Sequence, residues 1–401
     1  MKFVLVGTAY PHRGGIAHFV HLLAQTLSAR GHQVSILSFS RQYPSIFFPG
    51  TSQHDDGPPP NPPLDIHPLI DTINPLSWGR AARWVEGQGP DLTVFKYWMP
   101  FFAPGYDTIV RHLHKRHIGR TCFLLDNVIP HEPRPGDPWL TRRVMEKVDT
   151  FIAQSAVVRD DLLKFRPDAT YREVPHPVYS SFPPGKSREE ARRTLGITTK
   201  RVVLFFGFIR AYKGLMNLIR SMALVDRDLD VGLLIGGEFY EDDKPYKAEV
   251  ARLGMGAGAA STTGAASTTG PASAPGAEPT PRVFWHDRYI PDEEVGDFFS
   301  AADVVVLPYQ SATQSGIIQI AMNYGMPIIT TNVGGLPEVV HDGRMGYVVP
   351  PEDPTALAAA ITRFFREEKA AAFGAAVTAE RERYSWTPMA EALEAFARGE
   401  R

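Results

Sequence analysis

The sequence predicts an α/β protein made of two doubly wound domains, on three observations. A strand, glycine turn, helix, strand order opens the chain, and the same alternation restarts near residue 200. The length of 401 residues also exceeds what a single hydrophobic core normally supports.

Residues 2–6 (KFVLV) are a short apolar run bounded by Gly7, the pattern of a buried parallel strand. After Gly14-Gly15, the residues Ile16, Phe19, Val20, Leu22, Leu23 and Leu27 recur at helical spacing, and Gly31 is a suitable stop. HQVSILSF follows as a second strand, which completes a βαβ unit with a right-handed crossover. Residues 41–75 are rich in Pro, Gly and Asp, with PPPNPP at 58–63, and read as a long loop. DLTVFKY (91–97), TCFLLDN (121–127) and TFIAQS (150–155) read as further strands.

Residues 175–200 shift in composition to PHPV, FPPG and the charged helix SREEARRTLG, as a domain linker does. The alternation then resumes with strand RVVLFFG (201–207), helix KGLMNLIRSMALV (213–225) and strands DVGLLIGG (230–237), ADVVVLP (302–308) and MPIITTN (326–332). The expected domains are 1–178 and 179–384, with a final helix within 385–401 that crosses back to the first domain. Residues 254–281 interrupt the second domain and hold AASTTG twice in succession, at 259–264 and 265–270. With almost no large apolar residue, this segment cannot offset its ordering entropy and is expected to be a disordered surface insertion.

The formal net charge is -2, so no global field favours nucleic acid as a partner. Cys122 is the single cysteine, which excludes an internal disulfide and a cysteine-based metal site and points to a reducing compartment. The apolar run Phe3–Val6 is too short for a signal-peptide core, and no stretch approaches the ~20 apolar residues of a membrane span. The expectation is a cytoplasmic protein. The basic run RHLHKRHIGR (111–120) and the loop YPSIFFPG (43–50), with Ile46, Phe47 and Phe48, leave open a peripheral contact with the inner face of a membrane. A solvated helix end and a folded-back loop explain the same residues.

Three segments carry candidate chemistry. Gly14 and Gly15 stand between the first strand and its helix, where a backbone can approach an anion, although local evidence alone favours an ordinary tight turn. The dinucleotide fingerprint is absent, because AYPHRGGIAHF lacks the three-glycine spacing and no acidic residue ends the second strand. GFIRAYKG (207–214) places Gly207, Arg210 and Lys213 at a strand's carboxyl end, where cations can neutralise a departing diphosphate. In ATQSGIIQIAMNYGMPIITTNVGGLPEVV (312–340), Gln314, Ser315, Gly316 and Ile317 open a helix. Ser315 is expected to cap that helix, and its free amides suit a phosphate.

Taken in order, these segments resemble the retaining nucleotide-sugar glycosyltransferases of the GT-B fold, family four. DNVIPHE (126–132), HDRYIPDEEV (286–295), SAADVVVLPY (300–309) and GYVVPPEDPTALAAAI (346–361) add to the likeness, which spans nearly the whole chain. The resemblance implies two Rossmann-like domains with the donor in a cleft between them. It places Gly15 near the donor phosphate and matches Lys213 to the diphosphate-binding lysine. Arg288, Tyr289 and Ile290 match the region that holds the base, and the backbone of Ser315 to Ile317 matches the stretch under the pyrophosphate. The nucleotide sugar is then a substrate, with no cofactor and no metal; the absence of a DxD pair agrees.

The sequence departs from the family at three points. Phe208 stands where an arginine normally follows the strand-end glycine, with Arg210 as the expected substitute. The paired glutamates fall on Ala312 and Ile320, with the amides of Gln314 and Gln319 nearby. The histidine expected after the fourth strand is Asp126, with His131 five residues later, and either is a candidate for the sugar or for catalysis. The expected reaction is sugar transfer with retention to a glycan, lipid-linked or small-molecule acceptor. A GT-B epimerase, a phosphorylase and a catalytically retired nucleotide-sugar-binding protein stay open as alternatives.

Overall fold

The computed structural model describes residues 1–44, 52–55, 57, 59–130, 134–258 and 281–400. The chain forms two compact units, one of Met1–Ser181 with Arg383–Arg401 and one of Phe182–Glu382.

The strands of the first unit are β1 (Lys2–Val6), β2 (Gln33–Arg41), β3 (Ile66–Asp71), β4 (Leu92–Tyr97), β5 (Arg120–Leu125), β6 (Thr150–Ala153) and β7 (Tyr171–Glu173). They make one parallel sheet in the order β3-β2-β1-β4-β5-β6-β7. β1 lies inside the sheet, third of the seven, and is buried from Phe3 to Val6, as its unbroken apolar run requires. The expected loop over 41–75 is corrected by β3, which pairs with β2 from Ile36↔Ile66 to Arg41↔Asp71. Pro68 hides this strand from a sequence pattern, yet an edge strand tolerates a residue without an N–H. The chain's final helix, Thr387–Arg398, belongs to this unit and buries Met389, Leu393 and Phe396. Its Glu394 accepts hydrogen bonds from Arg30 Nε at 2.6 Å and His32 Nε2 at 2.8 Å.

The second unit has strands β8 (Arg201–Phe206), β9 (Val231–Gly236), β10 (Gly256–Gly258), β11 (Pro281–His286), β12 (Val304–Leu307), β13 (Ile328–Thr331) and β14 (Gly346–Val349). Their order is β10-β11-β9-β8-β12-β13-β14, again all parallel. The early part of the expected insertion is corrected by β10, which pairs with β11 at the sheet edge. Residues 259–280 lie outside the described residues.

Leu215, Leu218, Ile219 and Met222 form the apolar face of the helix Leu215–Leu224 and pack on Val203, Phe205 and Val231. Ahead of this core, the helix Arg188–Thr194 is fastened by Asp303, whose carboxylate accepts from Arg188 Nη1 at 2.6 Å, Arg192 Nη2 at 2.9 Å and the Val202 amide at 2.8 Å. Among the described residues no helix is long and apolar enough to cross a membrane.

The basic run at 111–120 spends part of its charge locally. Arg111 pairs with Asp107 at 2.7 Å, His112 with Glu86 at 2.6 Å and His114 with Asp149 at 3.3 Å. Of its proposed membrane companions, Ile46, Phe47 and Phe48 lie outside the described residues.

Asp303 sets a stability prediction. Asp303→Ala removes an acceptor from two guanidinium groups and leaves the Val202 amide without its partner, and should lower the stability of the second unit by about 1–3 kcal/mol in chemical denaturation. Arg188→Ala, which removes a half-exposed partner, should cost at most about 1 kcal/mol in the same measurement.

Candidate active site

Both sheets have their first strand in the interior, so the strand order reverses direction beside it. Loops after β1 and β4 diverge in the first unit, as do those after β8 and β12 in the second. Such switch points, at the carboxyl ends of the strands, are where open α/β sheets bind ligands.

In the first unit the loop after β1 is pinned at several places. The Ala9 amide donates to Ser38 Oγ at 3.1 Å, Tyr10 N to His21 Nε2 at 2.9 Å and Arg13 N to the Gln53 carbonyl at 3.1 Å. Burial and the neighbouring His54 pull His12 down to about 4, so it stays neutral at ordinary pH. Gly14 has a φ of 106°, which L side chains rarely adopt, and directly precedes the helix Gly15–Ala29. Among the described residues no side chain caps that helix, and its own first turn holds no acidic residue. Gly15 is exposed, and its carbonyl accepts from Tyr179 Oη at 2.9 Å.

Asp126 follows β5 and accepts a hydrogen bond from Lys96 Nζ at 2.6 Å. Lys96, on β4, is 3% exposed and also donates to Gln154 Oε1 at 3.3 Å. Burial pulls the Lys96 ammonium down from its ordinary value, and only Asp126 opposes this. Asp126 and the Gly14-Gly15 turn thus both stand at the carboxyl edge of the same sheet. His131 lies outside the described residues.

In the second unit Gly207, Lys213 and Ile317 converge. Gly207 has a φ of 100°, and a Cβ built on it would sit 3.0 Å from Ile317 Cδ1 and 3.5 Å from Lys213 Nζ. The segment after β8 is tied to its neighbours on both sides, by Ile209 N to the Glu238 carbonyl at 2.9 Å and Gln310 N to the Tyr212 carbonyl at 2.7 Å. Lys213 Nζ lies 5.9 Å from the centre of the Tyr309 ring. Burial, with the nearby charge of Arg210, pulls Lys213 down to about 8. No carboxylate among the described residues pairs with it. The Arg210 guanidinium rests over the Tyr240 ring at 5.2 Å.

The helix Gly316–Asn323 begins beside this cation pair. The expected cap is corrected: Ser315 holds the N-cap position, but its side chain accepts no amide hydrogen bond and instead lies 3.4 Å from Tyr309 Oη. The hydroxyl is drawn to Tyr309 instead, which leaves the first-turn amides uncapped by Ser315. Gln314 has a buried amide oxygen. Gln319 is 2% exposed, and its amide oxygen finds no hydrogen-bond partner among the described residues. Ala312 and Ile320, the two positions of the glutamate pair, are both buried apolar residues.

The Arg288–Ile290 segment is brought to the same edge through Tyr289, which stacks with Phe208 at 6.4 Å. Phe208 in turn packs on Tyr240 at 4.5 Å. Arg288 is exposed and paired with Glu294, and Ile290 is buried.

Sequence reasoning missed Lys96, His176, Tyr179 and Tyr240. Lys96 carried a readable signal, since a lysine inside a strand that is otherwise mostly apolar must find an anion. Among the described residues no group of three or more His, Cys, Asp or Glu side chains could hold a metal ion.

Comparison with known proteins agrees with this layout. The family description "Glycosyltransferase Family 4" matches residues 13–182, and "Glycosyl transferases group 1" matches residues 200–367. The D-inositol 3-phosphate glycosyltransferase of Corynebacterium diphtheriae is 27% identical over 260 residues, 63% of this chain and 56% of that protein. The alpha-maltose-1-phosphate synthase of Mycolicibacterium smegmatis is 29% identical over 222 residues, 53% of this chain and 51% of that protein. The chain thus spans about half the length of these curated relatives. Anabaena HepE, solved in complex with UDP, superposes with a TM-score of 0.70 at 14% identity over 100% of both chains, a likeness of GT-B fold. With one family description over each α/β unit, this chain belongs to the family four, group 1 glycosyltransferases.

Proposed function

We propose that the protein moves a sugar from a nucleoside-diphosphate sugar to a glycan, lipid-linked or small-molecule acceptor, with retention of configuration and without a metal ion. The observation that carries this reading is Lys213, whose desolvated ammonium has Arg210 for a neighbour and no carboxylate partner among the described residues. Burial makes the Lys213 ammonium costly, and an anion brought against it relieves that cost. A diphosphate fits this demand, and the uncapped start of the helix Gly316–Asn323 adds amide donors beside it.

In this reading charge builds on the diphosphate as the sugar–oxygen bond breaks, and Lys213 with Arg210 stabilises it there. Gly15, as the family likeness implies, offers exposed backbone to a donor phosphate. The acceptor hydroxyl then adds on the face the diphosphate leaves, and the departing phosphate takes its proton. Phe208, Tyr240 and Tyr289 form an aromatic cluster for the base, and the UDP held by HepE makes UDP the first nucleotide to try. The apolar Ala312 and Ile320 favour a second reading, a protein that binds the donor without turning it over. The reading also keeps the protein in the cytoplasm, with any membrane contact peripheral.

Nucleotide release measured across UDP-, GDP- and ADP-sugars tests the reaction. Release by the folded protein supports transfer, binding without release supports the second reading, and neither binding nor release defeats both. Lys213→Met should weaken UDP binding about 100-fold in calorimetry, yet raise the thermal midpoint of the nucleotide-free protein by about 2–4 °C, because it removes an uncompensated cation. The pH dependence follows from the same residue. Lys213 must be protonated to hold the diphosphate, so UDP affinity should be flat below about pH 8 and fall by about tenfold per unit above it. Affinity that does not change between pH 7 and 9.5 would remove Lys213 from the site.

A further inference from the structure

The first unit holds a buried lysine that the proposed reaction does not use. Lys96 Nζ lies 3.4 Å from the centre of the Phe19 ring, with Asp126 and Gln154 as its hydrogen-bond acceptors. Phe19 sits one helical turn after Gly15, so its ring reports the position of the Gly14-Gly15 turn. The same ring is edged by His176 at 5.1 Å and by Trp386 at 5.0 Å. His176 Nδ1 donates to the Pro177 carbonyl at 2.8 Å, which leaves Nε2 facing the Tyr179 hydroxyl at 3.3 Å. That hydroxyl donates to the Gly15 carbonyl.

The groups in this cluster have fixed protonation states. Burial, with the Lys96 charge close by, pulls His176 down to about 3, so it stays neutral. Burial pushes the Tyr179 hydroxyl up, so it stays a donor. The turn is therefore held at two points, its first helical carbonyl and the ring four residues on.

A buried ion pair is weak support for stability alone, since an apolar pair of similar volume often serves as well. Orientation is a different matter, because a group held within about 0.5 Å needs a rigid shell behind it.

We propose that Lys96 and Tyr179 are positioning residues for the Gly14-Gly15 turn, Tyr179 by holding the Gly15 carbonyl and Lys96 by fixing Phe19 and Asp126 beneath it. Neither touches the donor. The proposal rests on the reading of this turn as a donor-phosphate contact.

The test uses the full chain, with UDP, GDP and ADP titrated in turn and the tightest binder carried forward. Tyr179→Phe removes one hydroxyl and leaves the packing intact. It should weaken nucleotide binding about 5- to 10-fold, while the thermal midpoint falls by no more than about 4 °C. In nucleotide release the donor KM should rise by the same factor while kcat stays within about twofold. Lys96→Met should weaken binding by about tenfold, and the double variant should be no weaker than the worse single, because both act on one turn.

Wild-type affinity retained by Tyr179→Phe overturns the proposal and leaves the donor reading intact. Losses that multiply in the double variant overturn the shared role. Wild-type protein that binds none of the three nucleotides overturns the donor reading and this proposal with it.

Discussion

Parallel pairing forces the chain to cross over a sheet between neighbouring strands, always with the same hand. When the first strand ends up in the interior, the crossovers on its two sides must lie on opposite faces. The loops above that strand then part, and the chain itself cannot fill the gap. Both units of this protein meet that constraint, at β1 beside β4 and at β8 beside β12. The Gly14-Gly15 turn and Lys96 stand at the first of these points, and the 207–214 segment and the Ser315–Ile317 backbone at the second.

Two lysines show how differently one residue type can be used at such an edge. Lys96 is enclosed with a carboxylate, an amide oxygen and an aromatic face, so its charge is matched inside the fold. Lys213 is desolvated beside Arg210 with no carboxylate among the described residues to match it. The first arrangement confers orientation. The second costs stability and is tolerable where binding returns the difference.

Much of this was legible in the sequence. The apolar runs of β1, β5, β8 and β12 are long enough, and free enough of proline, to read directly as buried strands. β3 was not legible, because Pro68 and the preceding proline-rich stretch look like loop until β2 supplies a partner. β7 and β10 are three residues each and carry no period at all. At the site, Gly14, Gly15, Gly207 and Lys213 were readable from their place between a strand and a helix. Ser315 was readable as an N-cap position, but the direction of its hydroxyl depends on Tyr309, six residues earlier. Tyr179 sat in a segment whose prolines read as linker, and its bond to a carbonyl 164 residues away has no local trace.

The return of the chain to its starting unit bears on how the protein is made. A ribosome releases domains in order, and the first is normally folded before the second emerges. Here Met389, Leu393 and Phe396 are fully buried parts of the first unit, and the Trp386 indole donates to the Val178 carbonyl at 2.9 Å within it. None of them exists until the whole of Phe182–Glu382 has been synthesised. The second unit can therefore reach its final state first, while the opening half of the nascent chain waits with an apolar groove beside its first helix. Chaperone demand during translation should fall on that waiting half, and a truncation after residue 382 would leave it incomplete for good.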